Sequence, residues 1–290
     1  MGAPDGPDAA VPEGSVDVEA SAYLQALVRR DAATPRQQTY QAVRELMRRS
    51  PATASHLSAF ELKVFSQNGE DGIIAEITRR LGIDTGYFVE FGIETAAEGN
   101  CVFLANVLGW RGLFIEGEPA MFAELSAKYR FNPNVTTANA IVSPENIDEV
   151  FRAQRVPDDF DILAIDVDGN DYWIWQGVRT CHPKVVVIEY NAGLDPSKAL
   201  VQPYSHKGWD GTEYFGASLG AMCSLAAGKG YRLVYTELTG VNAFFVRSDL
   251  AADFPSADLL PPRFPNYYFG GRGHPRDPLN RQYLDLAGGH

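Results

Sequence analysis

One pattern recurs along the chain: a short apolar run ends in polar residues, and a stretch with apolar residues at helical spacing follows. The runs are GYFVEFG (86–92), GLFIEGE (112–118), VTTANAIV (135–142), DILAIDVDG (161–169) and PKVVVIEYN (183–191). The helical stretches are 97–108, 120–129, 144–155, 172–178 and 217–229. Runs this short and this continuously apolar predict strands covered on both faces. Strand and helix in alternation predict a mostly parallel sheet with helices on both faces. YRLVYTEL (231–238) and NAFFVRSDL (242–250) are separated only by TGV. A turn that short forces an antiparallel pair, because parallel neighbours need a long crossover.

The flanks differ from this core. Residues 1–17 are rich in Ala, Gly, Pro and Asp and are expected to be disordered. Residues 18–59 carry helical spacing and predict a helical cap. Residues 60–250 form the main domain. Residues 251–290, with PPRFPNYYFGGRGHPRDP, predict an irregular arm. The N-terminal helices or this arm offer a homo-oligomer contact.

The net charge of −12 and the absence of a Lys/Arg run argue against a nucleic-acid partner and for a small-molecule substrate. Three separated cysteines form neither a disulfide framework nor a zinc site. There is no signal-peptide pattern and no membrane-length apolar stretch. The chain reads as cytoplasmic.

In an open α/β sheet, ligands bind beyond the carboxyl ends of the strands. Those ends carry Glu90 and Gly92, Glu116, Asn139 and Ala140, Asp166 and Asp168, and Glu189 and Asn191. Gly92 permits a close backbone turn. The loop Gly92–Gly99 lacks GxGxxG, and Glu94 would repel a pyrophosphate, so a dinucleotide is excluded. An amine- and ribose-bearing ligand without phosphate, such as S-adenosylmethionine, tolerates this acidic mouth. Glu116 stands where a carboxylate can accept ribose hydroxyls, or it is a surface turn acid. Ser66 reads as a helix cap before Gly69–Glu70–Asp71, and Gln67 and Asn68 either belong to that turn or reach over a ligand.

The segment DVDGND (166–171) fails as a calcium loop, since its sixth position is Asp171 and its twelfth is Gly177. Asn170 or Asp171 is placed to cap the next helix. Asp166 is not explained by capping. With Glu189 and Asn191 it offers oxygen ligands for Mg2+. Without a metal, Asp166, Asp168, Glu189 or His206 would act as base. Trp209, Tyr214 and Phe215 form a substrate wall or ordinary packing. His274 shows no partner pattern.

FSQNGEDGIIAEI, YFVEFGIETAAEGNC, GWRGLFIEGEP, LAIDVDGNDYWIW, VVVIEYNA, WDGTEYFGASLGAM and GVNAFFVR, in this order, resemble the FkbM-type class I S-adenosylmethionine-dependent methyltransferases. The resemblance implies a Rossmann-like seven-stranded sheet with the last strand antiparallel. It implies that Glu90 and Gly92 line the methionine end of the cofactor and that Glu116 holds the ribose. Asn139 or Ala140 would flank the adenine, and Asp166 would face the methyl-transfer centre. The first loop reads GIETAAEGN where the family is glycine-rich. The activity expected is O-methylation of a sugar or natural-product hydroxyl. The competing expectations are another reaction on the same cofactor, or a cofactor-free interaction module.

Overall fold

A computed structural model describes residues 57–255 and 274–286. The expectations for 1–17, for most of the helical cap and for the aromatic part of the C-terminal arm lie outside these residues, as do the oligomer contacts assigned to them.

The apolar runs are strands: β1 (Tyr87–Phe91), β2 (Arg111–Glu116), β3 (Val135–Asn139), β4 (Ile162–Ile165) and β5 (Val185–Glu189). After a short β6 (Leu200–Val201) come β7 (Tyr231–Thr236) and β8 (Asn242–Arg247), and β9 (Leu284–Asp285) pairs with β6. The main sheet has the order β3-β2-β1-β4-β5-β8-β7. All its pairings are parallel except those of β8, which runs antiparallel to both neighbours. The predicted architecture therefore holds: a Rossmann-like, mostly parallel seven-stranded sheet whose last strand is antiparallel. The hairpin was legible from TGV. The insertion of β8 between β5 and β7 was not, because a turn fixes direction but not the neighbour on the far side.

Residues 162–165 and 185–188 are all fully buried, as continuous apolar runs require. Helices α1 (Glu70–Arg80), α2 (Pro119–Tyr129), α3 (Ile147–Ala153), α4 (Asp171–Gly177) and α5 (Leu219–Gly228) accompany the sheet. Trp175 of α4 packs on Phe245 of β8 at 5.0 Å and on Tyr231 of β7 at 5.9 Å, which ties helix to sheet. Glu118 caps α2 and Ser218 caps α5, each accepting a backbone N–H of the first turn.

The helix predicted over 97–108 is the main departure. Residues 92–100 form an irregular loop, and helix begins only at Val102, continuing as a π-helical turn over Leu104–Leu108 closed by Gly109 at φ +69°. Gly99, inside the stretch, sits at φ +157°, which no helix admits. Among the described residues no helix is long and apolar enough to cross a membrane.

Candidate active site

The chain leaves β1 outward to β2 and β3, then crosses back to lay β4 on the other side of β1. This reversal opens a crevice at the carboxyl ends of β1 and β4. Gly92 and Asp166 face each other across it. Gly92 has φ +75°, and a Cβ built on it would lie 1.5 Å from the Asp166 carbonyl oxygen. Only glycine fits both demands.

Glu90, 2% exposed, turns its carboxylate under the following loop and accepts the Asn100 and Cys101 N–H groups at 2.7 and 2.9 Å. The first N–H groups of the segment that follows the loop are thus taken by Glu90. Burial outweighs these bonds and pushes the Glu90 carboxyl up to about 7.

Asp166, Asp171 and Glu189 bring one carboxylate oxygen each within 4.8 Å of one another. Burial, then repulsion from Asp171, Asp168, Glu90 and Glu70, holds Asp166 well above the usual carboxylate range. Glu189 is raised by burial and by Asp166, Asp171 and Asp168. Asp171 is pushed up to about 6 by burial, against the lowering effect of its backbone bonds.

Asp171 does not cap its helix in the expected way. It accepts Val167 N–H at 2.9 Å and Gly169 N–H at 3.0 Å and so folds the 166–169 turn back. That turn holds Asp168 at φ +51°. Asn170 occupies the N-cap position, but its side chain donates to Ser205 O at 2.7 Å and accepts Ser205 N–H at 3.2 Å. It thereby fixes the loop that carries His206. Ser66 does receive the Asp71 N–H at 3.1 Å, although the N-cap position itself is Gly69.

Two cavities adjoin at Gly92. The larger, about 550 Å³, is lined by Gln67, Glu90, Gly92, Asp166, Asp168 and Glu189, together with Trp209, Phe215, Asn242 and His274. The smaller, about 240 Å³, has an apolar side made by Ile115, Ala140, Ile141 and Val142 and a loop side that includes His206. The structure therefore brings eight sequence-predicted residues, Trp209 and Phe215 of the expected wall among them, into one cavity and separates others from it. His206 lines the smaller cavity beside Ala140, away from the acid group expected to share its role. Asn139 lines neither cavity: its amide donates to Glu116 O at 2.8 Å and Gly117 O at 3.3 Å. Glu116, 6% exposed, accepts Glu94 N–H and Glu118 N–H, both at 2.7 Å.

Asn191 corrects the expected metal set. Its Nδ2 donates to Glu213 O and Phe215 O at 3.0 Å and lies 3.3 Å from Tyr283 Oη, while its Oδ1 accepts Gly193 N–H at 2.9 Å. It anchors loops and the C-terminal segment, and Asp171 takes its place among the clustered oxygens.

His274 was missed. It stands edge-on to Trp209 at 4.8 Å and to Phe215 at 5.4 Å, and burial lowers its pKa. No spacing signal joins it to residues some 60 positions earlier. Asn242 was missed as well: it opens the strand inside GVNAFFVR, a segment read for its apolar pattern and its resemblance and not for a site residue.

No family model matches the chain, and no curated protein matches it. Solved structures match it at low identity. The N-terminal domain of EvdMO1 with S-adenosylhomocysteine bound is 13% identical, with a TM-score of 0.41, over 73% of this chain and 94% of that one. A SAM-dependent methyltransferase from Aquifex aeolicus is 10% identical, with a TM-score of 0.37, over 72% and 98%. PKMT2 from Rickettsia typhi in complex with AdoHcy is 13% identical, with a TM-score of 0.32; the match covers 41% of this chain and 24% of that one.

Proposed function

We propose that this chain is an S-adenosylmethionine-dependent methyltransferase of the FkbM type, acting on a hydroxyl of a small molecule such as a sugar or natural product. One observation carries the reading: Gly92 sits where an acidic cavity meets an apolar one at the reversal point of the sheet. A ligand with a cationic end and a flat apolar end, passing over a residue without a side chain, fits that arrangement. S-adenosylmethionine has this form, and when bound it supplies an electrophilic methyl group.

Glu90, Gly92, Gln67 and Asp166 would hold the methionine end. Ala140 and Ile141 would flank the adenine. Glu116 would accept the ribose hydroxyls through lone pairs not used by its two backbone partners. Trp209 and Phe215 would limit water at the reacting centre. Catalysis would rest mainly on holding the nucleophile in line. Asp166 or Asp168 would take the hydroxyl proton; a carboxyl raised above its ordinary range is a better match for that task. A second reading keeps the same site but uses Mg2+, favoured by the convergence of Asp166, Asp171 and Glu189 oxygens within 4.8 Å. A bound Mg2+ would supply acidity to the substrate hydroxyl.

Calorimetry with S-adenosylhomocysteine tests the cofactor. Binding is expected, and Glu116→Ala is expected to weaken it at least about tenfold, the worth of a charged hydrogen bond. No binding, or an unaffected variant, would sink the assignment. Methyl-labelled cofactor tests the reaction: label that reaches no product while a substrate is consumed points to another reaction on the same cofactor.

A further inference from the structure

The loop that carries the aromatic wall of the larger cavity is not held by the sheet alone. Its neck closes where Gln202 N–H donates to Gly216 O at 2.8 Å and Gly216 N–H donates to Gln202 Oε1 at 3.1 Å. Beyond the neck the chain runs out through Trp209 and returns at Phe215, both of which line the cavity. Among the described residues, the hydrogen bonds that 209–213 make outside this loop go to the segment 274–286, apart from one that Asn191 Nδ2 donates to Glu213 O. Two parts of the chain far apart in sequence are thus fastened together at the mouth of the site.

The segment 274–286 spans the loop from root to tip. At the root, β9 pairs with β6, which ends one residue before Gln202. At the tip, His274 packs edge-on against Trp209 and Phe215. Between them, Glu213 N–H donates to Pro275 O at 2.8 Å, Tyr214 Oη donates to Gln282 O at 2.9 Å, and Tyr283 Oη accepts Phe215 N–H at 3.2 Å. Arg281 makes the outermost tie. Its guanidinium lies 4.3 Å from the Tyr214 ring centre and donates to Asp210 Oδ2 at 2.6 Å and Thr212 Oγ1 at 3.1 Å. Asp277 sets Arg281 in place, accepting its backbone N–H at 2.6 Å and its guanidinium at 3.1 Å. The side chains of Arg281 and Asp210 are 30% and 44% exposed. An ion pair that exposed is weak, and a guanidinium against a ring adds a comparable amount. A tie of that size holds a loop and still lets it open, which a cavity that admits and releases a ligand requires.

We propose that residues 209–215 and 274–286 form one lid over the larger cavity, and that Arg281 is the positioning residue that latches it. What passes the lid rests on the methyltransferase reading; the latch itself does not. Arg281 is not among the residues that line the cavity, so it acts through Trp209 and Phe215. It therefore favours closure equally over an empty and a filled cavity. A group that does not distinguish the two states shifts neither toward the other. Loss of Arg281 speeds entry and exit alike and leaves affinity nearly unchanged, whereas loss of a ligand contact would speed exit only.

Hydrogen exchange of the full chain reads the latch, and surface plasmon resonance with S-adenosylhomocysteine reads the gate. In Arg281→Ala the amides of Glu213 and Phe215 are expected to exchange about three- to tenfold faster, the combined worth of an exposed ion pair and a guanidinium–ring contact, with β1 and β4 as protected as before. Arg281→Lys keeps the charge but not the planar fork and should recover part of that protection. Asp210→Asn removes the charge from the loop side alone and should act in the same direction, by less. The association and dissociation rates of S-adenosylhomocysteine should both rise by the factor seen in exchange, with affinity within about twofold of the parent chain. Unchanged exchange at Glu213 and Phe215, faster exchange spread through β1 and β4, or ligand rates unmoved over a loosened loop overturns the proposal. If Arg281→Ala does not fold, Asp210→Asn is judged by the same outcomes. Absence of S-adenosylhomocysteine binding to the parent chain strikes the methyltransferase reading instead, and exchange alone then judges the latch.

Discussion

Strand β4 has a carboxylate at each end, and the two have opposite surroundings. Asp161, just before the strand, accepts Tyr87 N–H at 2.7 Å and pairs with Lys184 at 2.7 Å. Nearby, Arg247 bridges Asp159 and Asp249, both at 2.8 Å. Asp166, just after the strand, meets Asp171 and Glu189, and among the described residues no lysine or arginine lines its cavity. The amino end of the sheet is neutralised by the protein itself. The carboxyl end is left for something else to neutralise. A residue type therefore says little about purpose until its partners are known, and an acid group without cations is maintained against stability.

The comparison can be broken hardest at Gly92. Gly92→Ala drives a Cβ into the Asp166 carbonyl at a φ of +75°. A loss of roughly 3 kcal/mol and of detectable S-adenosylhomocysteine binding is expected, read by thermal melts and calorimetry. Next comes pH. Glu90 is raised to about 7 and Asp71 to about 6, each chiefly by burial, from ordinary values of 4.5 and 3.8. The folded state thus holds these protons more tightly than the unfolded chain. Their stabilisation is fully present below about 4 and is lost as pH rises through 6 and 7. Melts of the ligand-free protein should fall by a few kcal/mol over that window; a rise would contradict the burial of these acids.

A pair of neutralising substitutions sharpens the contrast at smaller scale. Asp161→Asn should destabilise by about 1 kcal/mol and leave S-adenosylhomocysteine affinity unchanged. Glu189→Gln should stabilise the ligand-free protein by about 1 kcal/mol while weakening its hold on cationic ligands. Equal signs in denaturant melts would erase the distinction between the two ends. The smallest effect is expected at Tyr283, whose hydroxyl lies 3.3 Å from Asn191 Nδ2 and 3.1 Å from Glu213 O. Tyr283→Phe should cost about 0.5–1 kcal/mol in the same melts.

What could be seen in advance was what depends on neighbours in sequence. Period and apolarity marked β1 to β5, the TGV turn marked the hairpin, and strand ends located Gly92, Asp166 and Glu189. What stayed hidden depends on contacts distant in sequence. Asn191 has the ligand chemistry expected of it, but Tyr283 lies 92 positions away and no local pattern announces that contact. His274 reaches its cavity on a segment with no period. The 97–108 stretch has helical spacing, and Glu90 overrules it by capturing two of its amides in another geometry. Asp171 looked like a cap and became part of the acid group because it binds backward to 167 and 169.

The placement of β8 has a consequence for how the protein is made. β8 pairs with β5 on one side and β7 on the other, so the last long strand to leave the ribosome is an interior one. Until residues 242–247 emerge, β5 presents a naked apolar edge, which is a template for pairing with other chains. The half-sheet built from residues 87–189 can form its parallel pairs early, yet it cannot be sealed. Closure waits for a hairpin to slot between partners, and a nascent chain stalled before Asn242 is the aggregation-prone species that a chaperone would meet.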